Sequence, residues 1–230
     1  MRVFVLASQK GGAGKTTLAF HLAVAAEASG HGPVVLLDTD PQATLTQWWK
    51  KRDPETPAMA EATVSELRST LASLRENGFK LAIVDTAGRS SEANRTVIQE
   101  ADFVLLPVKP SAGDLWAIGS TLEVCKSLNR PFAFAVCQAT RNAALTVQAV
   151  AALAESGTVA PLVIHNRVGY AAAMGIGQTV QELEPKGAGA EEVSRLWAFL
   201  QKRIFADEQT GKIAEEQISK RASKRANLRA

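Results

Sequence analysis

Short apolar runs recur along the chain, at Val3 to Ser8, Val34 to Asp38, Leu81 to Asp85, Phe103 to Val108, Phe132 to Cys137 and Leu162 to His165, and each reads as a strand. Between them lie stretches rich in helix-forming residues, such as Lys15 to Ser29 and Ser111 to Asn129. This alternation predicts an α/β architecture: a doubly wound, mostly parallel sheet flanked by helices on both faces, with ligands at the carboxyl ends of the strands. Toward the C-terminus, Val193, Leu196, Trp197, Leu200 and Ile204 fall at i, i+3, i+4, i+7 and i+11, one apolar face of a helix that packs on the sheet. From Gly211 to Leu228 only Ile213, Ile218 and alanines offer an apolar stripe, beside dense basic charge, so a helix there would be weakly held.

Composition and charge narrow the picture. The 230 residues can bury one substantial core and no Pro/Gly/Ser-rich linker divides them, so one domain over residues 1–205 and a basic extension over 206–230, helical or partly disordered, are expected. No apolar stretch approaches the roughly 18 to 20 residues that span a bilayer. The chain enters its first strand almost at once, without the pattern of a signal peptide, and a cytoplasmic protein is expected. Cys125 and Cys137 show neither C-x-x-C nor Cys/His spacing and read as reduced core residues. The net charge of +3 is modest, but Lys220, Arg221, Lys224, Arg225 and Arg229 form a tail with no acidic residue after Gln217.

Candidate chemistry begins in the run Lys10-Gly11-Gly12-Ala13-Gly14-Lys15-Thr16-Thr17, between the first strand and the first helix. A Gly-rich turn in this place offers consecutive backbone N–H groups to phosphate oxygens. Lys15 can reach the β and γ phosphates and the Thr16 hydroxyl can ligate Mg²⁺. The general phosphate-loop pattern asks for Gly where this chain has Gln9, and the following Lys10 adds a second cation: either a solvated loop residue or a functional one. Asp85, ending an apolar strand, suits the acidic residue that holds the magnesium shell through a bound water, or else an N-cap. Asp38 and Asp40, at i and i+2 of an extended segment, point the same way and could share the nucleotide site, or could be turn residues before Pro41.

With these motifs in this order, the chain resembles the ParA/MinD family of P-loop ATPases, whose deviant Walker A motif is [KR]-G-G-x-G-K-[ST]. It looks most like short ParA-type partition ATPases without an N-terminal helix-turn-helix domain. Asp38-Thr39-Asp40-Pro41-Gln42 resembles the family's Walker A′ motif and Asp85 its Walker B. Weaker likeness runs through Leu105 to Ser111, Thr140-Arg141, Asn166 to Tyr170 and Gly175 to Val180, so that residues 1–205 are covered. The resemblance implies a P-loop NTPase fold, ATP and Mg²⁺ as cofactors, and hydrolysis of ATP to ADP and phosphate. It implies a homodimer closed face to face over two nucleotides, with each Lys10 reaching the partner's phosphates. Asp40 would orient or activate the attacking water, Asp38 would support the magnesium shell or the catalytic loop, and Thr140 and Arg141 would lie on the adenine side. The cysteine pattern speaks against the superfamily's iron–sulfur branch.

ParA-type ATP dimers bind DNA without sequence preference, through phosphate contacts from basic residues. By motif position the candidates are Arg167 and Lys186, joined by Lys202, Arg203, Lys220, Arg221, Lys224 and Arg225. Each could equally belong to a solvated face. The implied output is positioning of a cargo, with a ParB-like or other adaptor that stimulates hydrolysis and with the ATP state on the nucleoid. Two alternatives stand beside it: a MinD-like membrane-associated ATPase, for which the tail carries Leu228 as its only bulky apolar residue between Ser219 and Leu228, and a nucleotide-switched scaffold with little turnover. Trp48 and Trp49 read either as core or as a partner-facing aromatic patch.

Overall fold

The computed structural model describes residues 1–88 and 91–206. Lys220, Arg221, Lys224 and Arg225, with nearly all of the expected C-terminal extension, lie outside the described residues. In chain order the elements are β1 Arg2–Leu6, α1 Lys15–Ala28, β2 Val34–Asp38, α2 Thr44–Lys50, β3 Ala58–Ala60, α3 Leu67–Glu76, β4 Leu81–Asp85, α4 Ser91–Gln99, β5 Phe103–Val108, α5 Ala112–Ser127, β6 Phe132–Ala139, α6 Ala144–Ala154, β7 Val159–His165, α7 Val168–Gly175, α8 Val180–Leu183 and α9 Ala188–Ile204. The strands form one sheet in the order β3-β2-β4-β1-β5-β6-β7, and every pair is parallel.

Both faces of the sheet are buried, which is why its strands read as almost continuous apolar runs. Phe4 and Leu6 of β1 turn toward one core with Leu18, Leu22, Trp48, Leu196 and Trp197, while Val3 and Val5 turn toward the other with Leu71, Ile98, Ile118 and Leu153. Helices α1, α2 and α9 therefore cover the first face, and α3, α4, α5 and α6 the second. The six strands expected from sequence are present within a few residues of their expected bounds. The seventh, β3, is a three-residue edge strand, Ala-Met-Ala, beside Pro57, too short to carry a periodic signal.

Topology fixes where a ligand can lie. The chain moves from β1 to one side of it for β2, β3 and β4, then to the other side for β5, β6 and β7. The loop after β1 thus leaves the sheet at the point where strand order reverses, and a crevice opens there at the carboxyl ends. Register sharpens this: Leu6 lies opposite Asp85 and Leu105, and Asp38 lies opposite Asp85.

Candidate functional site

The glycine-rich loop turns into α1 through Gly14, whose φ of 103° places it in the left-handed region, as does the φ of 74° at Gly12. Gly14 is the N-cap of α1 and brings no side chain to it, so the first amides of the helix are left for an anion to satisfy. The crowding is close on the far side as well: a Cβ on Gly88 would come within 3.2 Å of the Gly11 backbone. Gln138, at the end of β6, donates from Nε2 to the Gly12 carbonyl at 2.7 Å and ties the loop to the other half of the sheet.

Around this loop the structure gathers Lys15, Thr16, Asp38, Asp40 and Asp85. Lys15 is buried; its burial lowers the ammonium pKa, and the charges of Asp85 and Asp40 oppose that. Asp85 is fully buried, and its Oδ2 accepts the Thr16 hydroxyl at 2.5 Å. Burial pushes its carboxyl up to about 7, against the Thr16 hydrogen bond and Lys15, with Asp38 and Asp40 adding to the rise. Asp85 Oδ1 is buried with no hydrogen-bond partner among the described residues. Desolvating a carboxylate oxygen and leaving it unpaired is costly, so the position suits a cation or its bound water. Among the described residues no group of three or more His, Cys, Asp or Glu side chains forms a metal cage. Mg²⁺ ordinarily takes one or two carboxylates plus phosphates and water, and Thr16 with Asp85 fits that requirement.

The aspartate that ends β2, Asp38, and the one in the loop after it, Asp40, differ in their engagement. Asp38 Oδ1 accepts the Asp40 amide at 3.1 Å, and its Oδ2 accepts the Thr46 amide at 2.9 Å and the Thr46 hydroxyl at 3.1 Å. Among the described residues the Asp40 carboxylate accepts only the Gln42 amide, at 3.0 Å, and no side-chain donor binds it. Asp38 is thus committed to holding the turn into α2, while Asp40 faces the cavity. Lys10 is exposed, and its Nζ lies 2.6 Å from Oδ2 of buried Asp114 in the first turn of α5. The Ser111 hydroxyl also donates to that oxygen.

Two cavities meet at the loop. One, of about 280 Å³, is lined by Lys15, Thr16, Asp40, Gln42 and Thr44. The other, of about 220 Å³, is walled by Leu18, Cys137, Ile164, Arg167 and Tyr170. They share Gly14, Thr17, Gln138 and Met174. Thr140 and Arg141 are exposed in the turn after β6 and line neither cavity. Arg167 does border the second one, where its guanidinium is bonded to Glu192 of α9. Motif spacing within the first half of the chain could find the phosphate end; the wall of the second cavity joins Leu18 of α1 to β6, β7 and α7, where only the weaker likeness from Asn166 to Tyr170 marked the sequence.

The remaining predicted residues are spread out. Lys186 is exposed in the turn before α9, whereas Lys202 and Arg203 are exposed at its other end, about 25 Å away at 1.5 Å per residue. Arg203 lies over the Phe199 ring, 3.7 Å from its centroid. Trp48 is buried, stacked on Phe20, and donates from Nε1 to the Gln178 carbonyl at 3.0 Å, so it belongs to the core. Partly buried Trp49 packs against the same core. His21, one turn beyond Thr17 in α1, was not singled out by sequence. Its Nε2 accepts the Val180 amide at 3.0 Å, which leaves Nδ1 to donate to the Thr17 carbonyl at 2.6 Å. The ring is therefore neutral, and burial lowers its pKa to about 4.

Comparison with known proteins agrees with this geometry. A family model described as the CobQ/CobB/MinD/ParA nucleotide binding domain matches residues 4–193. The chain is 35% identical over 142 residues to the protein ParA of Rhizobium radiobacter, covering 59% of this chain and 63% of that protein. It is 39% identical over 125 residues to the maintenance of carboxysome distribution protein A of Gloeobacter kilaueensis, covering 53% of this chain and 56% of the relative. The chain thus spans less than two thirds of the length of these curated relatives. The septum site-determining protein MinD of Pyrococcus horikoshii, solved in complex with Mg-ADP, shares the fold with a TM-score of 0.72 at 19% identity, over 87% of this chain and 96% of that one.

Proposed function

The chain belongs to the CobQ/CobB/MinD/ParA nucleotide-binding family, and from that premise we propose that it is a Mg²⁺-dependent ATPase of ParA type, which dimerises on ATP, binds DNA without sequence preference and positions a cargo through an adaptor protein. The observation that carries this reading is the convergence at one loop of an uncapped helix N-terminus, a buried lysine and three aspartates, one of which keeps an unpaired buried oxygen. Phosphates lie on the amides after Gly14 with Lys15 on the terminal groups, and the base and ribose extend into the apolar cavity beside Leu18 and Tyr170. Thr16, and Asp85 through a water, would hold Mg²⁺, which when bound would supply positive charge against that of the transferring phosphoryl group. Asp40, the less engaged carboxylate, orients the attacking water and takes its proton, while the bond from the γ phosphorus to the leaving ADP oxygen breaks. Asp38 keeps Asp40 in place through the turn it organises.

Lys10 supplies the link to assembly. In this protomer its partner is Asp114; in the proposed dimer it leaves that carboxylate for the other subunit's phosphates, so that nucleotide state governs association. Lys186, Lys202 and Arg203 are exposed and available for DNA phosphates. None of the described helices is long and apolar enough to cross a membrane. The name of the carboxysome-distribution relative makes a protein assembly one candidate cargo.

Substitution of Asp40 by Ala tests the reading. Turnover should fall at least about 100-fold, as expected on losing a positioned base, while Mg-ATP still binds and the protein accumulates as a dimer on gel filtration. Unchanged turnover in Asp40→Ala removes Asp40 from the chemistry, and an ATP-loaded monomer removes the switch.

A further inference from the structure

Glu192 gathers more hydrogen bonds than any carboxylate of the phosphate end. Its Oε1 accepts from His165 Nδ1 at 2.7 Å and from Arg167 Nη2 at 2.6 Å, and Arg167 Nε reaches both carboxylate oxygens at 3.1 and 3.2 Å. The His165 amide donates to Oε2 at 3.3 Å. The Tyr170 hydroxyl shares its proton between Oε2 at 3.2 Å and the Gly189 carbonyl at 3.3 Å. Burial raises the Glu192 carboxyl, but the hydrogen bonds from Arg167 and His165 outweigh it and hold the group below its ordinary range. All three donors, His165, Arg167 and Tyr170, line the apolar cavity that adjoins the phosphate loop.

A guanidinium at the wall of an apolar cavity is not fixed by that wall; its long side chain would turn to water. Here the fork of Nε and Nη2 is held on Glu192, a bidentate geometry that sets the plane of the group as well as its place. Nη1 is left with no protein partner among the described residues. We propose that Glu192 is a positioning residue for nucleotide binding: it holds Arg167 against the base and ribose of the bound nucleotide, where the guanidinium face and Nη1 supply the base-dependent part of the affinity. This rests on the ATP-binding reading above, and it removes Arg167 from the DNA-contacting set in which its motif position placed it. It also ties the nucleotide cavity to α9, the helix that carries Lys202 and Arg203 at its far end.

The test compares Mg-ATP, Mg-ADP and inorganic tripolyphosphate by calorimetric titration of the full chain. Glu192→Gln and Arg167→Gln should weaken ATP and ADP in parallel, by roughly tenfold as for loss of one charge-assisted contact, and leave tripolyphosphate unchanged. Glu192→Asp should recover part of the loss. Retained ATP affinity in both Gln variants overturns the positioning role, as does an equal loss of tripolyphosphate, which would mark a general structural effect. If Glu192→Gln does not fold, Arg167→Gln decides, because it leaves Glu192 bonded to His165 and Tyr170. Wild-type ATP affinity in Arg167→Gln together with lost retention on DNA returns Arg167 to the DNA surface and refutes the inference. A wild-type protein that binds ATP no more tightly than tripolyphosphate overturns both this inference and the base cavity of the proposed function, whereas tight wild-type binding with unaffected variants overturns the inference alone.

Discussion

The phosphate end and the base end of the proposed nucleotide site are built on opposite plans. The proposed phosphate end gathers groups only a few residues apart: Gly14, Lys15 and Thr16 in one turn, Asp38 and Asp40 in another, with Asp85 brought alongside by the pairing of β2 and β4. At the proposed base end the cavity wall comes from α1, β6, β7 and α7, and Glu192 of α9, behind that wall, lies 25 positions beyond the Arg167 it holds. The first arrangement is polar, with a helix N-terminus that no side chain caps and a buried Asp85 oxygen without a partner among the described residues. The second is apolar with one neutralised cationic group. A motif can encode the first because phosphate recognition uses backbone amides in a fixed order, whereas a base is recognised by surfaces that any element can supply.

The contrast can be broken or sharpened experimentally. The largest effect belongs to Lys15: Lys15→Ala should weaken ATP, ADP and tripolyphosphate together, by about 100-fold for a lost charge-assisted phosphate contact, which would separate it cleanly from the base-selective variants at Arg167 and Glu192. A Lys15→Ala protein that loses ATP but keeps tripolyphosphate would erase the distinction between the two ends.

His21 joins the ends, since it bonds Thr17 of the loop helix and its ring meets Tyr170 of the second cavity edge-on, centroids 5.1 Å apart. Its pKa is lowered by burial to about 4, below the ordinary 6.5 expected of the unfolded chain, so between these values the unfolded state binds more protons. Stability therefore rises with pH through that window and is lost as the pH falls from 6.5 toward 4. The contribution is on the order of 3 kcal/mol. Thermal melts of His21→Asn against pH should show a flatter slope over the window; an unchanged slope assigns the acid sensitivity to other groups.

A smaller effect is expected at Gln138, which touches both cavities and holds the Gly12 carbonyl. Gln138→Ala removes one hydrogen bond of about 1 kcal/mol and should weaken ATP about fivefold. Because the bond orients the loop, tripolyphosphate should suffer as well. Loss confined to ATP would place Gln138 on the base instead.

Other parts of the molecule divide along the same line. The buried strands were legible because both faces are covered and each run is apolar, while β3 was hidden by its length and its place at the sheet edge beside Pro57. Trp48 could be read either way from sequence, since an aromatic residue after a motif has no direction until α2 is docked; its stacking on Phe20 decides for the core. Lys10 was conspicuous as an extra cation, but its capture by Asp114, 104 residues away, could not be anticipated from spacing.

By itself the sequence determined the α/β alternation and six of the seven described strands, and it singled out the glycine-rich loop and the acidic residues gathered around it, because these follow from local periodicity and from backbone chemistry that tolerates few residue types. The tertiary structure alone decided which carboxylate is the more engaged among the described residues, that Arg167 is clamped to Glu192, and that an apolar cavity continues from the loop. Those outcomes depend on which distant side chains the sheet order brings within hydrogen-bond reach, and burial then sets their protonation and their freedom to move.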